Sequence, residues 1–180
     1  CARGLAPTSQ QTNVRVGIKG NDPERALTGF LNIGAGGLRR LDVGGTLSAN
    51  VRSLGPLGEL TATQIRNASV SVAGNIGELH VRRDVLRSAI LAGLDTVDGI
   101  LGNGNDVLGR GMIGRARIGG SLIETSVSAG VAPGPDGQFG TDDDMPETDP
   151  ALSVIEKIKV RREIHNNPDE IFGIAWASRK

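Results

Sequence analysis

Between Leu38 and Ile164 the apolar residues recur at a fixed spacing. Leu57, Leu60, Ala62 and Gly74 of the passage from Pro56 to Gly74 return as Ile76, Leu79, Val81 and Gly93 of the next, and the two 19-residue passages overlay without a gap. The same phrase precedes them as Leu38, Leu41, Val43, Gly44-Gly45-Thr46-Leu47 and Gly55. It follows them as Ile113, Ala116, Ile118, Gly119-Gly120-Ser121-Leu122 and Gly130, and closes as Ile155, Ile158, Val160, Arg161-Arg162-Glu163-Ile164. The starts at Leu38, Leu57 and Ile76 are 19 apart, and the next gaps, 37 and 42, are one period plus an insertion. A period near 20 residues marks a stacked repeat.

Within each copy the apolar positions alternate with polar ones, the period of a strand with one buried face rather than of a helix. Short strands with frequent turns at this period predict an all-β fold, a parallel β-solenoid (β-helix) of about 19 residues per coil with about three short strands in each. Right-handed winding is the default for parallel crossovers. Like residues then stack: Leu41, Leu60, Leu79, Ala116 and Ile158 inside, Arg40, Glu59, Glu78, Arg115 and Lys157 outside. Two neighbouring pairs of the outer row carry opposite charges, each worth a few tenths of a kcal/mol.

The ends depart from the repeat. Residues 1–13 read as a flexible N-terminal arm, 14–166 as the solenoid, and 167–180 as a C-terminal cap. Asp22-Pro23-Glu24-Arg25-Ala26-Leu27 and Asn167-Pro168-Asp169-Glu170-Ile171-Phe172 carry an N-cap residue, then Pro, then acid, which predicts short helical caps over the open ends. Leu27, Ile171, Phe172 and Trp176 are the expected cap contacts, and packing is the simpler role for the aromatics.

Two insertions, 94–111 and 131–152, carry the candidate chemistry. Asp98-Gly-Ile-Leu-Gly-Asn-Gly-Asn-Asp106 aligns with Asp136-Gly-Gln-Phe-Gly-Thr-Asp-Asp-Asp144, and both follow an Ala-Gly pair, Ala92-Gly93 and Ala129-Gly130. Calcium takes six to eight oxygens, and a Gly-rich turn crowded with carboxylates and amides supplies them. Asp136, Asp142, Asp143 and Asp144 form the richer candidate site, and Asp98, Asn103, Asn105 and Asp106 the poorer one. From Val131 to Pro150 there are six acids and no base, a density that calls for a cation. The order is not that of an EF-hand. The competing reading is a pair of solvated acidic excursions.

Composition narrows the classes. The chain has 180 residues and 27 Gly, with only 2% aromatics and no Tyr. Twenty basic and twenty acidic residues leave no net charge and no electrostatic footprint for nucleic acid. No apolar run is long enough for a membrane helix. Cys1 is the single cysteine, so no internal disulfide forms. Without an initiator Met or signal peptide, a processed chain or an excerpt is expected, with a lipid-modified Cys1 as second reading.

Other candidates are weaker. His80 and His165 fall on outward positions beside Leu79 and Ile164, which are expected to be buried, and neither has a Ser or Cys partner. Asn67-Ala68-Ser69 is formally a glycosylation sequon, but Asn at a coil corner explains it more simply. An enzyme of the polysaccharide lyase or hydrolase type needs paired carboxylates in a groove and usually aromatic platforms. Asp84 and Glu163, two coils apart with Ser121 between them, are the acids that share an outward row.

Ile76-Gly-Glu-Leu-His-Val, Ile118-Gly-Gly-Ser-Leu, the coil end Ser128-Ala-Gly and the loop Gly134-Pro-Asp-Gly-Gln-Phe-Gly-Thr-Asp-Asp-Asp144 resemble the Gly-rich β-solenoid repeats of large bacterial surface and secreted proteins. The resemblance covers about residues 34–165. Arg161-Arg162 departs from it, standing where Gly-Gly is usual. Bactofilin-like cytoskeletal solenoids share the coil pattern but lack acidic insertions. The resemblance implies a location outside the cell or on the bacterial surface and a structural or adhesive role, with calcium in the loops. Expected partners are cell-surface polysaccharide or other surface proteins, with end-to-end self-association possible in a filament-forming scaffold. Nucleic acid and a membrane span are not expected.

Overall fold

The alternating pattern becomes β-structure throughout. The computed structural model describes residues 12–16, 26–135, 139, 141–146, 153–165 and 174–176, leaving aside the side chains of 12–16 and 176. In chain order the strands are β1 (Thr12–Val16), β2 (Ala26–Ile33), β3 (Leu38–Ser53), β4 (Leu57–Arg66), β5 (Ser69–Val72), β6 (Ile76–Val81), β7 (Val85–Ala92), β8 (Leu94–Asp95), β9 (Val107–Leu108), β10 (Met112–Ile118), β11 (Leu122–Ala129), β12 (Val131–Ala132), β13 (Met145–Pro146), β14 (Val154–Val160), β15 (Ile164–His165) and β16 (Ile174–Trp176). No helix occurs among the described residues.

Twelve strands form one sheet in the order β14-β10-β6-β4-β3-β5-β7-β11-β15, with β1 and β2 joined to β3 and β16 joined to β11. Its pairings are parallel. The register is the one the repeat predicts. Leu41 faces Leu60, Leu60 faces Leu79, Leu79 faces Ala116 and Ala116 faces Ile158. The first four are at most 1% exposed, and each of the three leucines contributes about 1.5–3 kcal/mol by leaving water. On the outer side Arg40 meets Glu59 at 3.3 Å and Arg115 meets Glu78 at 3.5 Å, the two opposite-charge pairs the sequence predicts.

The corners revise the gapless overlay. Leu60 faces Leu79, but Ile65 faces Val85, one residue further on. The copy on β4 is the short one: Ile65 follows Ala62 by three positions, whereas Leu47 follows Val43, Val85 follows Val81 and Leu122 follows Ile118 by four, and Ile65 N–H donates to Asp84 O at this corner. At the next corner Asn67, Arg87 and Glu124 take left-handed backbone conformations, with φ of 49°, 46° and 47°. They occupy one position in three successive copies, because Ile65 faces Val85 and Val85 faces Leu122. Asn tolerates this conformation and Arg and Glu less well, so Asn67 sits where a corner asparagine is expected. Arg87 Nε donates to Glu124 Oε2 at 2.6 Å, bridging two corners.

Three expectations fail. Ala26 and Leu27, assigned to a helical cap, lie in β2, where Leu27 faces Leu47. Ala175 and Trp176 likewise lie in a strand, paired with Ser128 and Ala129. The local Asp-Pro-Glu signal at Asp22 yields to strand pairing immediately after it; residues 22–25 and 167–172 lie outside the described residues. Ile164, expected to be buried, is 52% exposed, because β15 stands at the end of the strand order.

Candidate functional site

Both insertions leave the sheet from one place. Ala92 faces Ala129, and the glycines that follow, Gly93 and Gly130, both have positive φ. A Cβ on Gly93 would stand 2.5 Å from Gly109 O and 2.6 Å from Gly111 N, so the left-handed turn and the narrow exit both demand glycine here. Each insertion is then closed by a two-residue antiparallel ladder. Leu94 and Asp95 pair with Leu108 and Val107, and Val131 and Ala132 pair with Pro146 and Met145.

The insertions are folded down rather than solvated throughout. Leu91, Leu94, Val131, Ala132 and Phe139 form a second apolar cluster, with Leu101 and Ala175 packed against it. Leu101 and Phe139 hold the same place in the two aligned loops. Asp95 is also drawn in: Arg52 Nε donates to its Oδ1 at 2.5 Å and Nη2 to its Oδ2 at 2.9 Å. Ser71 Oγ donates to Leu94 O and accepts from Thr96 N–H. The anchoring residues were legible only as the apolar position shared by the two loops, which reads as filler beside the acids.

Within the first loop the predicted residues do come together. Asp98 Oδ2 accepts from Asn103 Nδ2 at 2.7 Å and Asn105 Nδ2 at 2.9 Å, and Asp98 Oδ1 accepts from Ile100 N–H. These bonds, the Ile100 N–H foremost, hold the Asp98 carboxyl below its ordinary range. Asp106 Oδ2 accepts from Gly102 N–H, while its Oδ1 is buried and accepts no hydrogen bond. Burial above all, with the charges of Asp98 and Asp95, pushes its carboxyl up against the opposing effect of that N–H. Here a cation fits in one respect, by supplying the missing partner of Asp106. It fits poorly in another, since both amides present N–H groups to Asp98.

In the second loop Thr141 Oγ1 donates to Asp143 Oδ1 at 2.5 Å and Asp144 N–H to Thr141 O at 3.3 Å. Asp142 and Asp143 are exposed and Asp144 is half-buried. A Cβ on Gly134 would lie 2.1 Å from Asp143 Cγ, so glycine admits that carboxylate to the turn. Asp136 lies outside the described residues, as do Glu147 and Asp149. Among the described residues no three His, Cys, Asp or Glu side chains gather in a metal-binding group.

Of the two outward acids considered for catalysis, Asp84 serves a corner through its carboxylate and Glu163 only through its backbone N–H. Asp84 Oδ1 accepts from Ser121 N–H at 2.8 Å, and Ser121 Oγ accepts from Glu163 N–H at 3.4 Å. Glu163 also contacts His165 through Oε2 and Nε2. His80 and His165 are exposed, as expected. No helix among the described residues is long and apolar enough to cross a membrane.

Comparison of the chain with protein-family models, curated proteins and solved structures returns no match. The functional reading therefore rests on the chain's own geometry.

Proposed function

We propose that the chain winds as a parallel β-solenoid, right-handed and about 19 residues per coil, and acts as a non-enzymatic structural or adhesive module of a bacterial surface or secreted protein. The observation that carries this reading is the continuous row from Leu41 through Leu60, Leu79 and Ala116 to Ile158, each residue facing its counterpart one copy away. Stacked repeats of this kind give stiffness and long regular faces. The alternative of a carbohydrate-active enzyme draws no support from Asp84 and Ser121, which are engaged with neighbouring backbone at a corner.

Calcium in the two insertions belongs to this proposal. Asp98, Asn103, Asn105 and Asp106 would hold it in the first loop, Asp136, Asp142, Asp143 and Asp144 in the second. The buried, unpartnered Oδ1 of Asp106 supports it. Bound calcium would neutralise the loop carboxylates and fix the loops on the sheet. The test is thermal unfolding of chelated protein with Ca²⁺ and, as control, Mg²⁺. A ligand specific to the folded state raises stability by about 2.7 kcal/mol at a hundredfold excess over its dissociation constant. The expected rise is specific to Ca²⁺ and is lost in Asp142→Asn/Asp143→Asn/Asp144→Asn. No rise removes calcium from the account and leaves a plain scaffold.

A second reading, end-to-end assembly into filaments, is favoured by the place of β14 at the end of the strand order, paired only with β10 among the described residues. Light scattering that grows with concentration would support it.

A further inference from the structure

The neutral total charge conceals a segregated face. On β10 the exposed residues are Arg115 and Arg117; on β14 they are Glu156, Lys157 and Lys159, with Arg161 just beyond, and Glu156 stands beside Gly114 without lining the groove that the cations border. Arg115 faces Lys157 and Arg117 faces Lys159. Like charges directly opposed across strands are destabilising, so the two rows set cation against cation where earlier copies set Arg40 against Glu59. All five cationic side chains are exposed, and among the described residues only Arg115 has a carboxylate partner, Glu78. With His80 they border a shallow groove of about 360 Å³.

We infer that this groove binds a linear anionic polysaccharide, one whose carboxylates or sulfates lie along β10 and β14. The inference rests on the reading of the chain as a surface module and adds to it a ligand class and a site. Alternate residues of a strand are about 6.6 Å apart and neighbouring strands about 4.8 Å. The cations therefore form a two-row track, suited to an extended polymer rather than to a single compact anion. Single-stranded nucleic acid is normally held by aromatic stacking, and Phe30, on β2, and Phe139, in the second insertion, both lie outside this groove. Charged residues on an end strand also deter strand addition, a purely protective role. Charge reversal separates the two, because glutamates keep the strand charged and remove the attraction.

The experiment measures binding of polygalacturonate and dextran sulfate at low and moderate salt, with uncharged dextran and with single-stranded and duplex DNA as comparators. The probe protein is the full chain and its variant Lys157→Glu/Lys159→Glu/Arg161→Glu, each checked for unchanged Tm. The expected result is saturable binding of an anionic polysaccharide, weakened by salt as screening requires, and about tenfold or more weaker in the variant. Dextran should not bind, and DNA should bind less well. Absence of binding, binding unaffected by charge reversal, or preference for DNA overturns the inference. So does self-association at low salt that the variant abolishes without any polysaccharide binding, which makes the groove a contact between copies. Failure here leaves the module reading intact, because calcium stabilisation and strand register are measured separately.

Discussion

Arg52 and Asp95 form a bidentate pair between β3 and the neck of the first insertion, with N–O distances of 2.5 and 2.9 Å. Their side chains are only 19% and 12% exposed, so removing one strands the other away from water. Arg52→Ala should lower stability by about 2 kcal/mol, the range for hydrogen bonds to charged groups. Arg52→Lys should recover part of it, since an ammonium cannot make the paired contact. Urea unfolding measures both, and hydrogen exchange at Thr96 and Gly99 should accelerate in the alanine variant. Unchanged exchange would mean that the insertion is held elsewhere.

A column of glycines sets how closely neighbouring copies approach. A Cβ on Gly77 would lie 2.5 Å from Gly58 O, and one on Gly114 would lie 2.7 Å from Gly77 O. The obstacle is backbone, which a side-chain rotation cannot clear. Gly77→Ala should therefore cost about 1–3 kcal/mol, as overpacking does. Gly34 serves as control: a Cβ there would meet nothing within 4 Å, and its φ is not positive. Gly34→Ala should change stability little. Equal midpoints for the two variants in denaturant would contradict the spacing described.

Asp106 and Asp98 should respond oppositely to pH. The Asp106 carboxyl is raised by burial, so its ionised form destabilises the fold; the penalty is absent below the unfolded carboxyl value near 4 and sets in as pH rises through the folded value. Asp98 is lowered, so its contribution is present above about 4 and lost as pH falls through its folded value. In chelator at neutral pH, Asp106→Asn should stabilise by about 0.5–1 kcal/mol, a figure reduced for partial solvent screening. The gain should vanish in acid. Asp98→Asn should destabilise at neutral pH and be silent in acid. Melting curves from pH 3 to pH 7 decide both signs.

These residues also mark what the sequence reveals. The row of Leu41, Leu60, Leu79, Ala116 and Ile158 is legible because a buried strand face repeats its apolar positions whatever the insertions between them. The alternation Arg115, Arg117 and Lys157, Lys159, Arg161 was equally open to reading, yet the whole-chain charge balance hides it. The residue missing between Ala62 and Ile65 was not legible, because corners absorb a one-residue difference without disturbing the apolar spacing on either side. The helical caps failed because Asp22-Pro23-Glu24 is a local signal, while Leu27 is governed by its partner Leu47. Of the two insertions, the acids were conspicuous, but the anchoring by Leu101, Phe139 and Asp95 depends on contacts with distant strands.

The register between copies separated by an insertion is the account's central claim, and pairwise disulfide formation tests it most directly. In a Cys1→Ser background, Glu78→Cys/Arg115→Cys joins positions that face each other on β6 and β10, and Arg115→Cys/Lys157→Cys joins the next step on β14. Neighbouring parallel strands lie about 4.8 Å apart, within the range a disulfide spans, whereas Glu78→Cys/Lys157→Cys sits two strands apart at about 10 Å. Mild oxidation should close the first two pairs rapidly within one molecule and leave the third open. Ready closure of the third pair, or failure of the first two in folded protein, would contradict the stacked register and the module built on it.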